Sequence, residues 1–132
     1  RPFDDQSQPN IRLETIATLI ILELIEKDKL KLINSPVIEY ENLKNPFLDR
    51  KIWISFYLSK ASIYQKVNKN VKERVRELKN LTLSTLDSYH LAIAEEANVE
   101  FFITCDHDII KKYKGKLRVV NPVDFINYLT SQ

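Results

Sequence analysis

The chain has 132 residues, of which 44% are hydrophobic and 29% charged, as in an ordinary folded domain. This composition excludes a disordered chain, a collagen-like repeat and a disulfide-stapled miniprotein. Because Cys105 is the single cysteine, no intrachain disulfide can form, which favours a reducing, cytoplasmic location. The single glycine, Gly115, excludes a glycine-rich phosphate loop. The net charge of +2 neither requires nor excludes a nucleic-acid partner. The longest apolar run, Leu19 to Leu22, is too short to span a membrane.

Taken in chain order, the hydrophobic pattern predicts alternating helices and strands. Polar residues 1–10 predict a turn, and apolar residues at helical spacing predict a helix from Ile11 to about Asp28. Ser35 followed by Pro36 is typical of a helix start. The predicted strands are Leu30–Asn34, Ser62–Val67, Val99–Thr104 and Lys116–Val120. The other predicted helices are Pro36–Leu43, Phe47–Ala61, Asn70–Leu78, Leu86–Ala97, Cys105–Tyr113 and Pro122–Leu129.

This alternation predicts one α/β domain over residues 1–132, a three-layer α/β/α sandwich around a mostly parallel sheet. Val99–Thr104 is expected to be the most clearly buried strand. A parallel sheet usually has a strand before its first helix, and this chain begins at Arg1, within the turn that would follow such a strand. We therefore expect an N-terminal strand ahead of Arg1, and the absence of methionine from the sequence agrees with this expectation.

Several acids follow the predicted strands, at the carboxyl ends where sites form in parallel α/β sheets. Glu41 lies on the half-apolar face of its helix, Asp87 opens another helix, and Asp106 and Asp108 come directly after a strand. Each has a structural alternative: Asp87 in a capping box, Asp106 as an N-cap, Asp108 as a partner of the helix dipole, and Glu41 on the surface. Gathered together, the acids would need a cation, and oxygen ligands without a Cys or His set favour Mg²⁺ or Mn²⁺.

The order and spacing of these segments resemble a PIN domain, the nuclease fold of VapC-type toxins of toxin–antitoxin pairs. The segments are Arg1–Gln6, Ser35–Glu41, Leu86–Ala92 and Phe102–Asp108, with Asn121–Phe125 near the end. The resemblance covers essentially the whole chain. It implies a PIN-like fold and a Mg²⁺- or Mn²⁺-dependent endoribonuclease that hydrolyses RNA phosphodiesters. The implied partners are RNA, an antitoxin protein and a second copy of the chain, and no membrane is implied.

The resemblance also implies roles for individual residues. Glu41, Asp87 and Asp106 match the family's catalytic, metal-binding acids, Asp108 is a neighbouring candidate metal ligand, and Thr104 matches the hydroxyl residue that supports the site. The family's first acid lies on the N-terminal strand that we expect ahead of Arg1. A chain that truly began at Arg1 would have an incomplete site.

A basic segment follows the Asp106 loop and has two interpretations. It forms either an RNA-binding rim or an ordinary solvated turn between a helix and a strand. Its lysines are Lys111, Lys112, Lys114 and Lys116. His90 and His107 are more typical of packed or surface residues than of ligands.

Two other functions remain open at the level of the sequence. One is a catalytically silent PIN-like module that binds RNA or protein. The other is a metal-dependent DNA nuclease or phosphatase. An aspartate on an upstream strand would favour the enzyme over the silent module.

Overall fold

The computed structural model describes residues 1–132 and is mostly helical, with 57% of the residues in helices and 8% in strands. The helices are α1 (Pro9–Glu26), α2 (Pro36–Leu43), α3 (Leu48–Leu58), α4 (Lys69–Lys79), α5 (Thr85–Glu96), α6 (His107–Lys112) and α7 (Pro122–Thr130). The strands are β1 (Ile33–Asn34), β2 (Ile63–Tyr64), β3 (Phe101–Ile103) and β4 (Arg118–Val120). Each predicted element is present in the predicted order, but the strands are shorter than predicted.

Short polar residues determine where most of the helices begin. Ser35 Oγ accepts a hydrogen bond from the Ile38 N–H at 3.1 Å, and Pro36 takes the first position of α2. This confirms the helix start predicted from these two residues. The same kind of side-chain cap begins four more helices, at Asn68, Ser84, Asp106 and Asn121. The caps satisfy backbone donors that the first turn of a helix leaves free.

The strands form two separate two-stranded parallel sheets. β1 pairs with β2, with Ile33 opposite Ile63, and β3 pairs with β4, with Phe102 opposite Val119. The prediction of a three-layer sandwich around one mostly parallel sheet is therefore wrong, because β1 and β3 do not pair and helices account for most of the chain. Hydrophobic periodicity locates each strand, but pairing depends on contacts between distant segments, which periodicity does not report.

The core consists of two apolar clusters, and β3 contributes to both. The larger cluster centres on α4 and α5, and the smaller one joins α1 to α7. Because side chains alternate along a strand, Phe102 packs against the larger cluster, and Phe101 and Ile103 pack against the smaller one. All three are only half-buried, so β3 is not the fully buried strand that its apolar sequence indicated.

The longest helix, α1, is apolar on two faces. Ile21 and Ile25 face α7 in the smaller cluster, whereas Leu13, Ile16 and Leu19 are exposed on the surface. No helix in the structure combines the length and the apolar character needed to cross a membrane.

Candidate functional site

A cavity of about 910 Å³ separates β1 from β3, and we call it the slot. Residues 30–33 line one side of the slot and residues 100–105 line the other, while α1, α5 and α7 supply apolar walls. One end of the slot lies where β1 and β3 finish, and we call this end the mouth. The residues that line the slot at or beside the mouth are Arg1, Ser35, His90, Thr104 and Cys105.

Glu41 reaches the mouth through a contact between α2 and α5. Its Oε2 atom lies 3.3 Å from Nε2 of His90. The His90 side chain is 17% exposed and lines the slot, whereas the Glu41 side chain is 53% exposed. The contact therefore holds an accessible carboxylate beside the mouth. The sequence favours a packed or surface residue at His90, and its position one turn after Asp87 indicates that the two share a helix face. The contact with Glu41 was not predicted.

Asp87 lies in the first turn of α5 and is half-buried. Ser84 Oγ accepts a hydrogen bond from the Asp87 N–H at 3.1 Å, but the Asp87 carboxylate makes no hydrogen bond in return. The capping box is therefore not reciprocal. Asp87 precedes His90 by three residues, about 4.5 Å along the helix axis. Its carboxylate is free to bind a cation or a water molecule on the side of α5 that carries His90.

Asp106 and Asp108 have the structural roles that the sequence left open as alternatives. Asp106 Oδ1 accepts hydrogen bonds from the N–H groups of Asp108 and Ile109 at 2.9 and 3.4 Å, which makes Asp106 the N-cap of α6. Asp108 is exposed in the first turn of α6, where a negative charge is favoured by the helix dipole. Thr104 Oγ1 accepts a hydrogen bond from the Asp106 N–H at 3.0 Å and so fixes the loop. Asp106 Oδ2 makes no hydrogen bond.

The basic segment starts beside Asp106. Helix α6 ends at Lys112, about 7.5 Å along its axis from His107, and Lys112 Nζ donates a hydrogen bond at 3.4 Å to the Thr82 carbonyl in the loop before α5. Lys116 Nζ donates a hydrogen bond to Oδ1 of Asn98 at 2.8 Å, just ahead of β3. Lys116 therefore lies at the opposite end of β3 from Asp106. Lys111 and Lys114 are exposed along the same segment.

Glu14 is a buried carboxylate near the mouth that sequence reasoning missed. Its Oε1 atom lies 3.6 Å from Nε of Arg1, and its Oε2 atom is buried without a hydrogen-bond partner. Burial, together with Glu14, raises the pKa of the neighbouring Cys105 thiol, and Arg1 opposes this shift. The available signal was spacing, because Glu14 lies three residues from both Ile11 and Ala17 on the buried face of α1.

Glu41, Asp87 and Asp106 belong to elements that reach the mouth, but none of the three lines the slot, and they are not gathered into one closed site. No three Asp, Glu, His or Cys side chains lie close enough together to hold a metal ion. The candidate ligand atoms are nevertheless of the type that Mg²⁺ and Mn²⁺ prefer. They are carboxylate oxygen atoms without hydrogen bonds: Glu41 Oε1, both oxygen atoms of Asp87 and Asp106 Oδ2. The structure therefore offers separate carboxylates at one end of the slot.

Comparison of the chain with protein-family models, with curated proteins and with solved structures gives no significant match. The chemistry of the mouth therefore has to be argued from its own residues.

Proposed function

We propose that the protein is a Mg²⁺- or Mn²⁺-dependent endoribonuclease whose site is the mouth of the slot. The observation that carries the proposal is the meeting of α2 and α5 there: His90 holds Glu41 at 3.3 Å, and the free carboxylate of Asp87 lies one turn away on α5. Asp106 approaches from the loop after β3, beside Thr104. Carboxylates carried by separate elements at the carboxyl ends of strands are typical of sites for divalent ions and phosphate esters.

Each residue has a distinct part in this proposal. Glu41, Asp87 and Asp106 would supply free oxygen atoms to the ion, and the three side chains would have to draw closer together than in this structure to hold it jointly. A bound Mg²⁺ or Mn²⁺ would supply positive charge against the scissile phosphodiester of the RNA. His90 acts as a positioning residue because its ring fixes the direction of Glu41. Thr104 fixes the Asp106 loop through the bond between its Oγ1 and the Asp106 N–H.

A second candidate is a catalytically silent module that binds RNA or protein. Two observations favour it: no three potential ligands are gathered, and Asp106 already serves as a helix cap. In this case the acids at the mouth have structural roles only. The two candidates differ in one simple property, which is whether the mouth binds a divalent ion.

Titration with Mn²⁺ tests the proposal directly. Because Mn²⁺ is paramagnetic, we expect it to broaden the backbone NMR signals of Asp87, His90 and Thr104 before signals elsewhere. The substitution Asp87→Asn should weaken Mn²⁺ binding at least about tenfold, since it removes a charged ligand. Asp49→Asn is the matched control, because Asp49 is also an acid in the first turn of a helix but lies outside the proposed site.

Equal Mn²⁺ affinity in the Asp87→Asn and Asp49→Asn variants would contradict the assignment of Asp87. Absence of any site-specific broadening in the folded wild-type chain would contradict the enzyme proposal and favour the silent binding module.

A further inference from the structure

A row of aromatic side chains lies on the surface between the start of the chain and α3. The ring of Phe3 packs edge-to-face on Trp53, with ring centroids 5.4 Å apart, and Trp53 packs in the same way on Tyr57 at 5.3 Å. Phe56 continues the row from Tyr57, at a centroid distance of 5.0 Å. We call these four side chains the aromatic row.

The packing of the core does not account for the aromatic row. Helix α3 contains no buried residue, none of the four rings belongs to either apolar cluster, and Phe3 and Phe56 are 44% and 47% exposed. The helix is nevertheless held in place by α2, because Asn42 Nδ2 donates hydrogen bonds to the Lys51 carbonyl at 3.2 Å and to Ser55 Oγ at 3.0 Å. An exposed apolar patch on a fixed element is typical of a binding surface.

Cations lie over the rings at both ends of the aromatic row. The Arg50 guanidinium carbon lies 4.8 Å from the ring centroid of Phe3 and 4.1 Å from that of Phe47, which is also exposed. At the other end, Lys60 Nζ lies 5.2 Å from the ring centroid of Phe56. Rings interleaved with cations match a single-stranded nucleic acid, whose unpaired bases stack on rings and whose phosphates bind cations. A protein partner needs apolar area but no cation at each exposed ring, so the pattern favours a nucleic acid.

The start of the chain joins the aromatic row to the mouth of the slot. Arg1 lines the slot, and Phe3 follows it by two residues, which is at most about 7 Å of chain. A strand with one phosphate at the mouth therefore has the row within reach of its neighbouring nucleotides.

We propose that the aromatic row binds unpaired bases of a single-stranded RNA beside the phosphodiester that the mouth would hold, with Arg50 and Lys60 contacting its phosphates. The choice of RNA rests on the proposed function. Stacking itself requires no metal ion, so binding can be measured without cleavage. Double-stranded RNA does not fit the row, because its bases are already paired and stacked on one another.

Binding of an oligouridine RNA of about 12 nucleotides by the complete gene product in EDTA tests this inference. EDTA prevents metal-dependent cleavage, and fluorescence anisotropy of the labelled RNA gives the Kd. The fluorescence of Trp53, the single tryptophan of the sequence, reports contact with the row, and we expect bound RNA to quench it. The RNA annealed to its complement should bind more weakly.

Two substitutions on α3 separate base stacking from general apolar contact. Phe56→Leu keeps an apolar side chain but removes the ring, and it should raise the Kd at least about fivefold. Ile52→Ala is the matched control, because Ile52 is an exposed apolar residue of the same helix without a ring, and the Kd should stay unchanged. Equal effects of the two substitutions would favour a protein partner and overturn the proposal.

The remaining outcomes separate this inference from the ribonuclease proposal. Absence of RNA binding in EDTA, binding without quenching of Trp53, or equal binding of the duplex would overturn the inference, even where the protein cleaves RNA with Mn²⁺. Tighter binding of the matching DNA strand than of the RNA would reassign the surface to DNA and also overturn it. The expected binding without any cleavage with Mn²⁺ would support the inference and contradict the ribonuclease proposal.

Discussion

At the scale of single residues, a polar cluster away from the mouth centres on Arg74 and Glu95. Arg74 Nε donates to Glu95 Oε1 at 2.8 Å, Nη2 donates to Oε2 at 3.2 Å, and Nη2 also donates to the Lys114 carbonyl at 3.0 Å. The hydroxyl of Tyr113 donates to the same carboxylate, and burial, with this bond, raises the pKa of Tyr113. The cluster joins α4 and α5 to the loop before β4.

The cluster also explains the glycine at position 115. A Cβ atom added there would collide with the side chains of Tyr113 and Glu95.

Replacing Glu95 should therefore destabilise the fold. Glu95→Gln keeps the shape but removes the charge from a carboxylate whose side chain is only 12% exposed, and it leaves Arg74 without its main partner. We expect the free energy of unfolding in urea to fall by about 1.5–3 kcal/mol. Glu73→Gln is the control, because Glu73 is 54% exposed and 3.8 Å from Lys69, and its effect should stay below about 0.5 kcal/mol. Equal effects of the two substitutions would show that the cluster contributes no more than a surface ion pair.

At the scale of elements, α5 is the helix on which the candidate site depends. Its first turn carries Asp87 and its second carries His90, and its apolar residues Leu91, Ala92 and Ile93 are buried in the larger cluster. The start of the helix is fixed by the bond between Ser84 Oγ and the Asp87 N–H. The position of the Asp87 carboxylate relative to Glu41 therefore depends on this cap.

Removing the cap should loosen this end of α5. We expect Ser84→Ala to lower the free energy of unfolding by about 1 kcal/mol and to speed amide exchange in the first turn of α5. Gln8→Ala is the matched control, because Gln8 is the exposed N-cap residue of α1 and makes no side-chain cap bond. A Ser84→Ala variant as stable as Gln8→Ala, with unchanged exchange at Asp87, would contradict this role of the cap.

At the scale of the whole molecule, local structure could be predicted from the sequence, whereas the architecture could not. The Ser35–Pro36 pair fixed the start of α2, and the apolar run around Phe102 located β3, because both signals act over a few residues. The number of sheets depends on which strands pair with each other. The strands that contain Ile33 and Ile103 do not pair, because a cavity separates them. Spacing along the chain contains no information about that gap.

In the candidate site, too, the sequence predicts the positions of residues within their elements but not the contacts between distant elements. Asp106 could be located at a strand end from the sequence, and its capping role was one of the alternatives. The contact between Glu41 and His90 joins residues 49 positions apart, so it depends on how α2 packs against α5. The burial of Glu14 likewise depends on the packing of α1 near Arg1 and Cys105.

In the proposed function, the acids at the mouth act with a divalent ion on RNA. The most direct measurement is cleavage of a generic single-stranded RNA by the complete gene product with Mn²⁺, with EDTA in place of Mn²⁺, and by its Asp87→Asn and Asp49→Asn variants. We predict that the wild-type protein and the Asp49→Asn variant cleave the RNA with Mn²⁺. EDTA or the Asp87→Asn substitution should lower the cleavage rate at least about a hundredfold. No cleavage by the folded wild-type chain, or cleavage that survives both EDTA and Asp87→Asn, would contradict the claim and leave these acids as caps and surface residues.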